Sequence, residues 1–324
     1  MNNQRRVIAL GFFDGVHLGH GALLRRVAER ARELDAVPCA FTFDQSPAAA
    51  LTGREVSLLT GVGDRTALMN RLYGIRDVIV APFARMQNMD WRDFVADYLQ
   101  KEHRAVHVVA GHDFHFGWKG RGDPERLAAE CARLGMGCDI IPRVELDGIT
   151  VSSTHIRTLV AEGDMEEAAR FLGHSHVLSG PVVHGNEIGR TIGVPTANLV
   201  VPKGVVTPAF GVYAARVWVC PDYPDHQAYL PGEGPYLAVT NVGVRPTVNP
   251  TLSGVTVEPW ILDYSGDLYG RTVWVEFYKQ LRGERKFASV DELKAAILEN
   301  AAQTRAYFAE QARMEKERKQ PWTD

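Results

Sequence analysis

Apolar and polar positions follow two rhythms in the first half of the chain. The short apolar runs "RVIALGFF", "VPCAFTFD", "RDVIVAPF", "AVHVVAG" and "CDIIPRVEL" predict buried strands. Between them lie runs with apolar residues three and four apart. In "GALLRRVAERAREL" this spacing puts Leu23, Leu24, Val27, Ala31 and Leu34 near one helical face. "GDRTALMNRLYGI", "DWRDFVADYLQKE" and "DPERLAAECARLG" also read as helices. Strands alternating with helices predict a parallel sheet with crossover helices. Such sheets bind ligands beyond the carboxyl ends of their strands.

The rhythm changes further on. Ser153 to Gly173 reads as helical, with a break near Gly163 and Asp164. After Leu178 come "GPVVHG", "GVYAARVWVC", "PYLAVTNVGV", "TVEPWILD" and "RTVWVEFYKQL". These short runs are separated by Gly, Pro, Asn and Asp, which predicts a small antiparallel barrel or sandwich. A last helix is expected from Ser289 to Lys319, with Ser289 as N-cap and Glu292 three residues on, as in a capping box. Its end, "EQARMEKERKQ", is highly charged. The expected division is a first α/β domain over 1–155, a helical connector over 156–178, a β domain over 179–312 and a charged tail over 313–324.

Composition narrows the function. A chain of 324 residues with 45% hydrophobic and 23% charged residues is an ordinary globular protein of about two domains. The net charge is −3 and neither half carries the basic excess of a nucleic-acid binder. Cys39, Cys131, Cys138 and Cys220 show no zinc-ligand spacing. "MNNQRR" lacks the apolar stretch of a signal peptide, and no run approaches the ~18 apolar residues of a membrane span. A cytoplasmic protein with reduced thiols, bound to neither membrane nor nucleic acid, is expected.

The chemistry starts at Leu10–Leu24, "LGFFDGVHLGHGALL". A glycine-rich turn opening a helix presents backbone N–H groups and a positive dipole end to an anion. His17 and His20, three apart on that turn, can both point at one phosphate, as imidazolium or as neutral N–H donors. A plainer alternative makes one histidine a helix cap and leaves the other half-buried.

Gly11, Phe13, Asp14, Gly15, His17, Gly19 and His20 in "GFFDGVHLGH" resemble the G-x-F-D-x-x-H-x-G-H motif of the nucleotidyltransferase superfamily. That resemblance implies that His17 and His20 contact a nucleoside triphosphate and stabilise the transition state. "VSSTHIR" resembles the superfamily's later I-S-S-T-x-I-R signature. Ser152, Ser153 and Thr154 would bind phosphate there and Arg157 would clamp its charge.

The remaining motifs select one branch. "VVAGHDFHFGWKGRGD" resembles a segment of prokaryotic FAD synthetases, placing Asp113, Phe114 and Phe116 at the flavin. "GPVVHGNEIGRTIGVPTANL", "TNVGVRPTV", "VEPWILDYSGDLYG" and "VEFYKQLRGERKF" resemble riboflavin kinase in order. Over roughly residues 7–312 the chain thus resembles the bifunctional bacterial riboflavin kinase/FAD synthetases. This implies a Rossmann-like nucleotidyltransferase domain joined to a riboflavin kinase-like β-barrel with a terminal helix. It also implies phosphorylation of riboflavin to FMN, then adenylylation of FMN to FAD, with ATP as co-substrate and Mg²⁺ as cofactor. Gly185, Gly189 and Gly193 would let backbone approach the nucleotide. Thr196 and Asn198 would hold Mg²⁺ through hard oxygens, Glu258 would take the ribityl proton, and Arg282 would order a loop over the flavin. A monomer or weak homo-oligomer is expected.

Several positions depart from the family pattern: Gln45 and Ser46 in "FDQSP", His115 in "DFHFG", His155 in "SSTHIR", and "LGHSH" in the connector. Replacing arginine by histidine loses a permanent charge and a bidentate fork. A kinase with a weakened or silent adenylyltransferase domain is therefore one alternative. A non-enzymatic flavin-binding regulator is the other, and it predicts loss of "PTAN" or Glu258, both of which are present.

Overall fold

The computed structural model describes residues 4–184, 193–221, 231–244 and 254–319. The chain divides into two compact units, the first built mainly from residues 1–156 and the second mainly from residues 157–324.

The first unit runs β1 (Arg6–Leu10), α1 (Leu18–Glu33), β2 (Val37–Phe43), α2 (Pro47–Thr52), α3 (Val62–Tyr73) and β3 (Asp77–Ala81). It continues with α4 (Phe83–Met86), α5 (Trp91–Asp93), β4 (Ala105–Gly111), α6 (Pro124–Arg133), β5 (Gly137–Ile141) and a short hairpin of β6 (Glu145–Leu146) with β7 (Ile149–Thr150). The five longer strands form one parallel sheet in the order β3-β2-β1-β4-β5. The expected "CDIIPRVEL" strand is two, β5 and β6, with Pro142 between them. A proline cannot donate to a ladder. Phe94–Glu102, after α5, is π-helical, and the His103 N–H closes on the Tyr98 carbonyl at 3.1 Å. Periodicity alone reads one ordinary helix over this stretch.

The core forms where helical stripe meets sheet. In α1, Leu23, Leu24, Val27 and Ala31 are buried. On the other face of the sheet, Ile8, Phe41 and Val108 pack with Phe94, Leu99 and Leu127. Each fully buried Val, Leu, Ile or Phe side chain among these contributes about 1.5–3 kcal/mol by leaving water. The strand order reverses at β1, whose neighbours are β2 and β4. The crevice at the carboxyl ends of β1 and β4 is thus the topological switch point, where open α/β sheets take their ligands.

α7 (Ser153–Glu162) and α8 (Met165–Leu172) follow, broken at Gly163 and Asp164 as the sequence predicts. The second unit contains β8 (His176–Val183), β9 (Asn198–Leu199), β10 (Gly211–Val219), β11 (Glu233–Val244), β12 (Val255–Ile261), β13 (Thr272–Gly283) and α9 (Val290–Lys319). Its strands close into a barrel in the order β10-β11-β12-β9-β8-β13, which decides between barrel and sandwich. The capping box is present. Ser289 Oγ accepts the Glu292 N–H at 3.1 Å, and the Glu292 carboxylate accepts the Ala288 N–H at 2.9 Å. The middle of α9 packs on the barrel wall through Ala301, against Val212, Val239 and Leu262.

Candidate active sites

In the first unit, β1 leads into a turn of unusual backbone. Phe13 (φ 57°), Gly15 (φ 79°) and Val16 (φ 44°) are all left-handed. For the β-branched Val16 this is a costly conformation. Gly15 is required twice: its φ is positive, and a Cβ would lie 2.6 Å from Leu59 Cδ1. Asp14 holds the turn. Its buried carboxylate accepts the N–H groups of Leu59 (2.8 Å) and Thr60 (3.1 Å), while the Gly15 N–H donates to Thr60 Oγ1 at 3.0 Å.

α1 begins at Leu18, three residues before the expected start, so Gly19 and His20 lie in its first turn. His17 is the N-cap, and its Nδ1 accepts the His20 N–H at 3.3 Å. Neutral His17 therefore carries its proton on Nε2. The two imidazoles stack with centroids 3.6 Å apart and 13° between planes. Gly19 makes room, since a Cβ there would approach the His17 ring at 3.1 Å. Loss of water, then the His17 ring, then Arg65 push the His20 pKa well below its ordinary value. Of the two protonation states the sequence allows for His20, this shift favours the neutral imidazole. The plainer alternative is also realised, since His17 caps the helix and His20 is half-buried. Capping and pointing at a phosphate are compatible, because the cap uses only Nδ1.

The second signature meets the first. Ser153 Oγ donates to the Asp14 carbonyl at 3.0 Å, and Ser152 Oγ accepts the His155 N–H at 3.3 Å at the start of α7. Thr154 is exposed, and Arg157 is half-buried on the same helix but belongs to the second unit. Gly11 stands at the end of β1, its N–H bonded to the Phe41 carbonyl. Asp113 is exposed on the loop after β4, and Phe114 is half-buried and stacked on Phe116. Phe116 lies in the core against Phe94. Among the departures, Ser46 caps α2, Gln45 and His115 are exposed, and the His155 ring packs on Phe171 at 4.7 Å.

Sequence reading missed Arg65, which is fully buried. It donates to the Phe12 carbonyl (2.7 Å), Thr42 Oγ1 (2.9 Å) and the Thr60 carbonyl (3.4 Å). A charged residue in an amphipathic run reads as solvated face, and nothing in the local pattern marks this one as interior.

In the second unit, Asn241 and Glu258 are direct partners on the β11–β12 ladder. On the other side of β12, Leu199 pairs with Val257, and the Ala197 N–H donates to the Pro259 carbonyl at 2.9 Å. This register sets Asn198 opposite Glu258, so the carboxylate position is flanked by asparagines on both neighbouring strands. Alternation along β12 separates two hollows. Glu258 and Trp260 line a cavity of about 670 Å³ under the first half of α9, together with Asn241, Arg282 and Asn300. Pro259 and Ile261 line another of about 340 Å³ with residues of the 264–269 segment. Thr196 lines both. Arg282 is held by Asn300 Oδ1 at 3.1 Å from its Nε, with its guanidinium 5.3 Å from the Phe287 ring centre. Burial, then Arg285, lower its pKa. Gly193 is exposed with φ +80°, whereas Gly185 and Gly189 lie outside the described residues.

No group of three His, Cys, Asp or Glu side chains among the described residues could hold a metal ion. The oxygen donors lining the two cavities include the Thr196 hydroxyl, the Asn241 amide and the carboxylates of Glu258, Glu284 and Asp267, all hard donors of the kind that Mg²⁺ supplements with phosphate and water.

Comparison with known proteins matches each half separately. Residues 1–155 fit the FAD synthetase family and residues 172–308 fit the riboflavin kinase family. A Listeria monocytogenes protein is 34% identical over 94% of this chain and 93% of its own length, and a Pseudomonas fluorescens protein is 36% identical over 94% of each. Both carry the name bifunctional riboflavin kinase/FMN adenylyltransferase. A crystal structure from Streptococcus pneumoniae, described as a macrolide-efflux protein, superposes with TM-score 0.78 at 31% identity over 94% of this chain and 95% of that one. No helix among the described residues is long and apolar enough to cross a membrane. With one half matching each catalytic domain and relatives aligned along nearly their full length, the chain belongs to the bifunctional riboflavin kinase/FMN adenylyltransferase family.

Proposed function

We propose that the chain uses ATP twice, each time at a different one of the two sites described above. In the barrel, riboflavin occupies the larger cavity with its ribityl chain toward Glu258, and the nucleotide occupies the smaller one. The 5′-hydroxyl oxygen attacks the γ-phosphorus, its proton passes to Glu258, and ADP leaves. The observation that carries this is Thr196 on the wall shared by both cavities, on the segment that sets Asn198 opposite Glu258. Thr196 and Asn198 would hold Mg²⁺, which when bound neutralises phosphate charge. Asn241 orients Glu258 from the other side. Arg282, fixed by Asn300, closes the flavin end of the cavity.

In the first unit, an FMN phosphate oxygen attacks the α-phosphorus of ATP and pyrophosphate leaves. His17 and His20 donate N–H groups to the charge that develops, at the amino end of α1, so positioning and electrostatics supply the catalysis. Ser152 and Ser153 complete the phosphate side. Four cysteines without a disulfide suit a reducing compartment, and we place the enzyme in the cytoplasm, as a monomer or weak homo-oligomer.

The test is product chromatography after mixing the full chain with MgATP and either riboflavin or FMN. FAD from both substrates is the expected result. FMN from riboflavin with no FAD from either would leave a kinase carrying a silent first unit, and would turn attention to Gln45, Ser46, His115 and His155.

A further inference from the structure

Beneath the two histidines lies an arginine that no motif announces. We propose that Arg65 is a positioning residue for FMN adenylylation: it ties the carboxyl ends of β1 and β2 to the turn before α3 and so fixes the left-handed turn that aims His17 and His20. The inference rests on the reading of those histidines given above.

The geometry is a closed circuit. Arg65 Nη1 donates to the Phe12 carbonyl, which also accepts the Thr42 hydroxyl at 2.8 Å. Nη2 reaches the Thr60 carbonyl. Thr60 in turn binds the same turn two and three residues further on, through its N–H to Asp14 and its hydroxyl to the Gly15 N–H. The Phe12 ring lies on the guanidinium at 4.2 Å. Phe12 is therefore held at its carbonyl and its ring immediately before Phe13 turns left-handed. Only a planar fork with several donors spans acceptors on three segments at once.

Stability alone does not account for this arrangement. A buried cation costs several kcal/mol of desolvation, and an apolar side chain of similar size is often neutral or better. Here burial lowers the Arg65 pKa to about 10, with Asp14 and Asp64 opposing that shift, so the group stays charged at neutral pH. Its charge also reaches His20. Besides the Phe13 ring edge, the groups facing His20 are the stacked His17 imidazole and Arg65.

The experiment measures FAD formation from FMN and MgATP by the full chain, against pH, for Arg65→Met, Arg65→Lys, Thr42→Val and His20→Ala. Riboflavin phosphorylation serves as the control. A misplacement of order 1 Å costs about 100-fold in turnover. Arg65→Met is therefore expected to lower kcat for FAD about 100-fold, with KM for FMN and ATP within about threefold and FMN formation unchanged. Arg65→Lys keeps the charge but loses the fork, and Thr42→Val loses one strap; both should fall about 10-fold. The acid limb of the kcat profile should move to higher pH in Arg65→Met, because removing the cation lets His20 protonate more readily. It should stay in place in Arg65→Lys.

Wild-type kcat in folded Arg65→Met overturns the proposal, as does a loss confined to KM. If Arg65→Met fails to fold, wild-type kcat in both Arg65→Lys and Thr42→Val overturns it. Continued FAD synthesis by His20→Ala would instead sink the reading of the histidines. An inactive His20→Ala beside a fully active Arg65→Met sinks only the role of Arg65.

Discussion

Asn241 and Glu258 face each other across the β11–β12 ladder, and Asn198 takes the corresponding place on the other side of β12. Glu258→Gln keeps the side chain's shape but removes the proposed base. Riboflavin phosphorylation should fall about 100-fold or more, the usual scale of general-base loss. FAD formation from supplied FMN should be unaffected. Equal loss of both activities would refute separate sites.

The metal assignment is tested at Asn198. Removing divalent cations with EDTA should stop riboflavin phosphorylation, and added Mg²⁺ should restore it. On the proposed assignment, Asn198→Ala removes one hard-oxygen ligand. The Mg²⁺ concentration for half-maximal rate should rise about 10-fold, the lower end of what losing one metal contact costs. An unchanged Mg²⁺ requirement would move the ion elsewhere.

Arg282 and Asn300 meet at the wall of the larger cavity, and Asn300 is buried. Asn300→Ala leaves a half-buried guanidinium without its side-chain acceptor. Loss of a hydrogen bond to a charged group, about 1.5–3 kcal/mol, corresponds to a KM for riboflavin raised about 10-fold or more, with kcat little changed. A fall in kcat at constant KM would assign Arg282 to the transferring phosphate instead.

His176 gives a stability prediction. Burial, then His174, lower its pKa to about 3. The unfolded chain binds that proton near pH 6.5. Between these values the unfolded state holds one more proton, so the second unit loses stability as pH falls, by about 1.4 kcal/mol per unit. By pH 5 the loss is about 2 kcal/mol. Calorimetry of the full chain at pH 7 and pH 5 should show the second unit's transition shift down, and His176→Gln should flatten the shift. An unchanged slope in the variant would mean that His176 does not titrate on unfolding.

The sequence determined much of this protein because its signals are local. Strand and helix in the first unit follow from period, since a half-buried element must repeat its apolar residues at its own pitch. The break at Gly163 and Asp164 and the Ser289–Glu292 cap were legible for the same reason: each depends on residues within one turn. His17, His20, Thr196, Asn198 and Glu258 stood out because each motif keeps its members within a few positions. Tertiary structure decided what depends on distant partners. Leu199 and Val257 lie far apart in the chain, so only strand pairing sets Asn198 beside Glu258 and makes Thr196 a shared wall. The protonation of His20 depends on burial and on Arg65, neither visible in its own neighbourhood. Arg65 itself reads as a surface cation until Phe12, Thr42 and Thr60, from three separate segments, are brought around it.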